Sequence, residues 1–481
     1  MSTEDMMRRD LITLPAVFAI DPKEKFVGIT MMPEYIQNEG VDGVLNTLTR
    51  RAKITAVATS PYVMEPADEK TGSREPPIDA DAGKVRLLDR PLWGKRELFV
   101  RTAPSFSPNS ALYRGLRYQP PEASDLTRKH GPIVREFVRK AKERGLKVYL
   151  QVQAAIPPGY RVQFGGPTAD DIPRLPDGKV PKRRLANNGS LASEHIINYH
   201  CTLLKDLAQV YPEVDGFRVD WPEYPPYFLD DAFLDFNDAV RPMAARFDIS
   251  FDRMREHTAR FYQTLHGGLS EAMLRDRSRY SLIHWMTDYP GVIDLLRCKA
   301  LLVENLLHAF RQSLPENKEL MPNAFPPPLS LLSGMDFARA GAYSSAISVK
   351  LYTMHWPMML RFWGEQLKQA NPAVSESAIS AALEHWLELS GLPGTRKIAD
   401  HRYPEPIDPH PVSNEAMASK IRVAREASPK VPIIALTHGY GPLVDFRRRL
   451  KVAYEAAGRK VWINRYGYLS DAKLDSIGTL T

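Results

Sequence analysis

The chain has 481 residues, 43% hydrophobic and 25% charged, which excludes a disordered or fibrous protein. Its net charge of +7 is a small difference between 64 basic and 57 acidic residues, and the densest basic clusters, Lys182-Arg183-Arg184 and Arg447-Arg448-Arg449, are short, so nucleic acid is not an expected partner. Two cysteines, Cys201 and Cys298, build neither a disulfide framework nor a cysteine-rich zinc site; with no secretory pattern at the start and no run of roughly 18 apolar residues, a soluble cytoplasmic protein without membrane contact is expected.

Short β-branched or aromatic runs, most followed by a segment of helical periodicity, recur along the chain. The first is 26–32, with a helix over about 41–52. The second, 54–60, meets its helix only after a long excursion, at about 130–144. Gly145 stops that helix, as glycine commonly does just past a helix end, and the third run, 148–154, is followed by a helix over 192–210. The fourth, 216–220, leads into a largely helical stretch over 232–313, with apolar spacing at Phe251, Met254, Phe261 and Leu265. The fifth is 320–325. The sixth, 347–355, precedes helices through about 369 and over 376–390; the seventh, 433–437, precedes a helix over 442–457; the eighth is 461–466. The 40 prolines concentrate at 61–121, 156–181 and 393–432, which read as loops.

Eight strand-plus-helix units predict an α/β protein: a single (β/α)8 TIM barrel over 1–481, with insertions at about 61–128, 156–191 and 228–318 that build over the C-terminal mouth. An open doubly wound sheet lacks its device here, since no glycine-rich strand-to-helix turn has dinucleotide spacing and no P-loop occurs.

The fourth strand is the most informative segment. Alternation sends Phe217 and Val219 toward the helices and Arg218 and Asp220 inside, with Asp220 at the C-terminal rim. A charge in a barrel interior needs a partner, and Arg218 is the obvious one for Asp220. A paired carboxylate at that rim suits a glycosidase nucleophile or a stabiliser of an oxocarbenium-like transition state; the bland alternative is a structural ion pair. Trp221, Tyr224 and Tyr227 follow among three prolines and would stack on sugar rings, or serve as core beneath a loop. Glu223 among those rings suits a general acid if it is desolvated.

The run Asp215-Gly216-Phe217-Arg218-Val219-Asp220-Trp221 resembles the fourth-strand motif of barrel-type glycoside hydrolases, including the alpha-amylase-like group, in which an Arg two residues before an Asp marks the nucleophile. The resemblance implies Asp220 as nucleophile, Arg218 as its partner, and retention of anomeric configuration. The chain departs from the alpha-amylase pattern: its fifth strand ends Asn323-Ala324-Phe325 without the acid-donating Glu, and its seventh ends Thr437-His438-Gly439-Tyr440. Glu223 is the favoured acid/base and Asp336 the runner-up, with a helix N-cap as the other reading of Asp336.

Further rim candidates for holding a small carbohydrate are Glu34 after the first strand, Gln151 and Gln153 on one face of the third, His355 and Trp356 at the end of the sixth, His438 and Tyr440 at the seventh, and Arg465 at the eighth. Lys350 falls early in the sixth strand as drawn, toward the bottom face, away from the expected chemistry. No cofactor is expected, and no His-x-x-x-His pair marks a metal site. Two alternatives stand beside the hydrolase: a metal-dependent sugar isomerase or epimerase using His355 and His438, and a carbohydrate-binding barrel without catalysis. A homo-oligomer of such barrels stays open.

Overall fold

Alternating side chains can bury both faces of a strand only if the sheet closes on itself or is covered on both sides, and here it does both. The computed structural model describes residues 24–78, 86–276, 278–389 and 397–480, Leu282 by its backbone alone. Eight parallel strands form a closed barrel: β1 (Phe26–Thr30), β2 (Ala56–Thr59), β3 (Lys147–Gln153), β4 (Gly216–Asp220), β5 (Glu319–Ala324), β6 (Ile347–Leu351), β7 (Ile433–His438) and β8 (Lys460–Asn464). Each pairs with the next in sequence, and β8 closes on β1 with Gly28 opposite Trp462. This is the (β/α)8 plan expected from the strand count.

The inward positions fill the barrel in layers. Near the bottom Tyr149 donates to Glu319 at 2.7 Å, with Lys147 on the other carboxylate oxygen at 2.8 Å. Above lies Trp462, edge-on to Phe26 and Tyr149 and packed with Ala56, Ala58, Met321 and Leu436. Gly28 makes room for it, because a Cβ there would stand 2.2 Å from the indole Cε3. The outward positions, Phe217 and Val219 among them, join the larger core against the helices.

Helices follow the predicted order, including Pro132–Glu143, Glu194–Val210, His355–Ala370 and Leu443–Ala456. Between β2 and β3 the excursion carries an antiparallel sheet of three strands, Tyr62–Ala67, Ser73–Glu75 and Leu98–Pro104. Three boundaries differ from expectation. Pro33 starts a helix, Pro33–Glu39, directly after β1, as a proline at a first helical position can. Strand β6 ends at Leu351 and His355 opens a helix, four residues sooner than the apolar run suggests. The proline-rich 393–432 segment contains the helix Asn414–Glu426, capped by Ser413. Residues 393–396 of that segment lie outside the described residues. No described helix is long and apolar enough to cross a membrane.

Candidate active site

Strand β4 aims Arg218 and Asp220 inward, but they do not pair with one another. Arg218 is fully buried and spreads its guanidinium across neighbouring strands, donating to Thr30 Oγ1 on β1 at 3.1 Å, Gln151 Oε1 on β3 at 3.0 Å and Asn323 Oδ1 on β5 at 2.9 Å. Its plane lies over the Trp462 ring, 4.1 Å from the centroid. Burial lowers its pKa to about 10. The planar fork thus ties three strands together one layer below the rim, which corrects the expected Arg218–Asp220 ion pair.

The partner of Asp220 is Lys350, whose Nζ lies 2.7 Å from Oδ1. The same oxygen accepts the Trp221 amide at 3.1 Å. Lys350 is 2% exposed and its ammonium sits over the rings of Trp221 and Phe325, at 5.3 and 5.0 Å. The expectation that Lys350 faces the bottom fails because β6 is shorter than drawn. Ser348, Lys350 and Tyr352 share the inner face, and Lys350 is the last inward residue of the strand. Trp221 has a left-handed backbone, φ 54°, unusual for a bulky residue, and this bend turns the chain off the strand toward the mouth.

Above this pair the barrel mouth holds a cavity of about 260 Å³. Asp220, Gln151, Gln153, Trp221, His355, His438 and Arg465 all line it, as the sequence reading anticipated. So do Tyr160, Arg161 and Gln163 from the loop after β3, Arg86 from the excursion after β2, and Tyr352, which the sequence reading did not select. Gln153 Oε1, the Tyr160 hydroxyl and both amide atoms of Gln163 are buried without a hydrogen-bond partner among the described residues. These atoms can serve ligand hydroxyls. His438 accepts the Tyr440 amide on Nδ1 at 3.1 Å, and burial together with Arg86 keeps its pKa far below the ordinary imidazole value. The neutral ring then carries its hydrogen on Nε2, a donor. His355 Nδ1 is 3.2 Å from the Tyr227 hydroxyl, and Tyr227 stands edge-on to Trp221.

The remaining candidates are placed elsewhere. Glu223 is fully buried behind the cavity wall, its Oε1 accepting the Phe325 amide at 2.8 Å and its Oε2 bonded to Ser333. Burial pushes its pKa up to about 7 against the opposing pull of Lys350. The Ser333 hydroxyl has one hydrogen and also reaches Ser330 O at 3.0 Å, so a protonated Glu223 can donate to Ser333 while Ser333 donates onward. Glu223 therefore does not face a ligand as drawn from sequence. Tyr224 donates to Asp235 and accepts from the Leu191 amide, making it core beneath the loop. Trp356 packs under Lys420, and Tyr440 donates to Pro404 O; neither lines the cavity. Asp336 caps the helix Phe337–Ala340 through the Arg339 amide and lies apart from the cavity, the N-cap outcome. Glu34 is sealed behind Arg161, 3.1 Å from its Nη1, beside a second buried carboxylate, Glu75. The helical 228–318 insertion packs on the helix Glu194–Val210 and contributes no lining residue among the described ones, whereas both other insertions do. Among the described residues no three His, Cys, Asp or Glu side chains gather as a metal site.

The sequence matches no known family profile and no curated protein. Solved structures that it resembles include glycoside hydrolases. The catalytic domain of beta-amylase from Paenibacillus polymyxa is 8% identical with a TM-score of 0.46, covering 94% of this chain and 95% of that one. A chitinase from Chromobacterium violaceum is 10% identical with a TM-score of 0.34, covering 94% and 98%. A GH113 beta-1,4-mannanase is 8% identical with a TM-score of 0.29, covering 86% and 88%. Likenesses this distant say nothing of the chemistry of this chain, which follows from its own residues.

Lys350 was legible in principle, since Ser348, Lys350 and Tyr352 alternate with Val349 and Leu351. Arg161, Glu75 and Gln163 carry no such signal; Arg161 and Gln163 reach the cavity from a loop and Glu75 stands behind Arg161 on the small sheet, and their placement is set by tertiary packing.

Proposed function

We propose that this chain is a glycoside hydrolase acting on a small glycoside, with Asp220 as its catalytic carboxylate. The observation that carries the reading is the Asp220–Lys350 pair at the floor of a cavity walled by aromatic rings and by amide and hydroxyl groups without hydrogen-bond partners among the described residues. A cavity of about 260 Å³ suits one or two sugar rings. Lys350 fixes the Asp220 carboxylate at the cavity floor, where it serves as nucleophile toward the anomeric carbon with retention of configuration. Trp221 and Tyr227 supply the stacking wall, and the amides of Gln153 and Gln163 with the His438 Nε2–H address ring hydroxyls. His355 is the titratable lining group suited to protonating the leaving oxygen, while Glu223, sealed behind the wall, positions Lys350 and the start of the loop after β5.

Turnover of a glycoside panel by the purified protein tests this. Asp220→Asn should lower kcat by several orders of magnitude with the fold intact, and unchanged turnover would remove the assignment. His355→Gln should depress hydrolysis of alkyl glycosides far more than of nitrophenyl glycosides, whose leaving groups need no proton. Proton NMR of the first-formed anomer reads the stereochemistry. A second reading, a carbohydrate-binding barrel without catalysis, is favoured by Asp220 being the one carboxylate among the described lining residues; sugar binding by calorimetry with no turnover across the panel would establish it.

A further inference from the structure

The floor and the rim of the cavity differ in chemistry. Strand ends give the floor polar side chains, Gln151, Gln153, Asp220, His438 and Asn464 among them. The excursion after β2 and the loop after β3 supply lining residues of two kinds. Arg86, Tyr160 and Arg161 are buried, whereas Pro77, Ile78, Val162, Gln163 and Leu185 stay partly open to solvent, Ile78 at 47%. Gln163 apart, these open side chains are aliphatic. One exposed aliphatic residue is ordinary, but several gathered around one opening mark a place that takes an apolar group.

The rim is held from behind. Glu75 receives Arg161 Nη2 at 2.9 Å and Arg465 Nη2 at 2.7 Å, and Pro77 O accepts Arg86 Nη2 at 2.9 Å, so the backbone leading to Ile78 is tied to its surroundings. Val162 begins the 3-10 turn Val162–Phe164, whose Phe164 ring stands edge-on to Tyr62 of the small sheet at 6.1 Å. Leu185 packs on the main core, and Arg184 beside it donates to Asn188 O at 2.8 Å. An apolar surface that is already ordered loses little entropy when it covers a ligand.

Aliphatic side chains offer neither donor nor acceptor, and they offer no aromatic face. A second sugar unit placed against them would give up water from its hydroxyls with only Gln163 to replace it. An alkyl or aryl group gains from the same contact, up to about fourfold in affinity for each methylene covered.

We propose that the glycoside this cavity takes carries an apolar aglycone, an alkyl alcohol or a phenol in place of a second sugar. The aglycone is seated against Pro77, Ile78, Val162 and Leu185, and the sugar ring lies on the polar floor. This rests on the glycoside reading above and names the leaving-group class for it.

Calorimetry with S-linked glycosides, which resist hydrolysis, tests binding apart from turnover. The probes are the methyl, butyl, hexyl and phenyl 1-thioglycosides of glucose, galactose and mannose in both anomers, with cellobiose, maltose, lactose and mannobiose beside them. In at least one series the hexyl and phenyl members should bind about tenfold or more tighter than the methyl member and than every disaccharide. Ile78→Asn with Leu185→Asn should cut the hexyl-to-methyl ratio to about threefold or less. Ile78 is exposed, so Ile78→Asn alone, checked by thermal melting, should also lower the ratio and carries the test if the double variant fails to fold. A ratio near one in every series overturns the proposal, as does tighter binding of a disaccharide than of every alkyl and aryl probe. Absence of binding by all probes, or a ratio untouched in folded Ile78→Asn, overturns it too. Asp220-dependent hydrolysis confined to O-glycosides whose aglycone is a sugar would overturn the proposal and keep the hydrolase. An alkyl gain in binding without hydrolysis of any O-glycoside would keep the apolar rim and overturn the hydrolase.

Discussion

Lys350→Met, Asp220→Asn and Arg218→Met, singly and in pairs, separate the observed ion pair from the one the sequence suggests. Lys350 and Asp220 lie 2.7 Å apart, at 2% and 16% side-chain exposure. Removing one member of a buried pair strands the other, at about 3–5 kcal/mol. Asp220 borders the cavity and rehydrates in part, so Lys350→Met belongs near 3 kcal/mol, whereas Asp220→Asn leaves an enclosed ammonium and belongs toward the upper end of that range. The double variant strands neither charge, and the coupling energy should be about 2–3 kcal/mol. Arg218 spends its donors on Thr30, Gln151 and Asn323, so Arg218→Met costs about 3–5 kcal/mol by orphaning three acceptors, yet its coupling to Asp220 should stay below about 1 kcal/mol. Guanidinium denaturation at constant pH and salt, with a common slope, reads all six variants. A coupling of Arg218 to Asp220 larger than that of Lys350 to Asp220 would refute this account of the barrel interior.

Three further outcomes follow from local geometry. Gly28→Ala places a methyl group 2.2 Å from the Trp462 ring, which Phe26, Tyr149 and Arg218 confine, so it should destabilise by about 3 kcal/mol in denaturant titration, with Trp462→Phe restoring part of the loss. Glu223, with its pKa raised to about 7, binds a proton in the folded chain at pH values where an unfolded carboxyl has lost it. Stability contributed by this group therefore falls as pH rises from the ordinary carboxyl range to about 7, and Glu223→Gln should flatten the wild-type stability profile over that window by about 2–3 kcal/mol. At Trp221, φ 54° penalises any side chain, so Trp221→Gly should be more stable than Trp221→Ala by about 1 kcal/mol in thermal melts, while both raise KM for glycosides through the lost stacking wall.

The alternation of strand and helix was enough to place all eight barrel strands, because a parallel sheet covered by helices on its outer face must alternate the two periodicities in the chain itself. The same alternation put Arg218 and Asp220 inside and Asp220 at the rim, since side-chain direction along a strand is a local property. Pairing is not local. Asp220 had two basic residues within reach of its layer, and the choice of Lys350 over Arg218 depends on how β6 and β4 stagger around the closed barrel, and on the three acceptors that claim the Arg218 fork from β1, β3 and β5. Burial is not local either. Glu223 and Tyr224 read from sequence as rim residues because they follow a strand end among prolines, but the left-handed bend at Trp221 carries them beneath the wall to Phe325, Ser333 and Asp235. Arg161 and Arg465 belong to segments far apart in the chain, and they meet only because Glu75 on the small sheet bridges them. Local periodicity thus determined the barrel and the residues at its rim, while the partners of each charge were decided by closure of the sheet, which brings together oxygens and nitrogens that no spacing in the sequence relates.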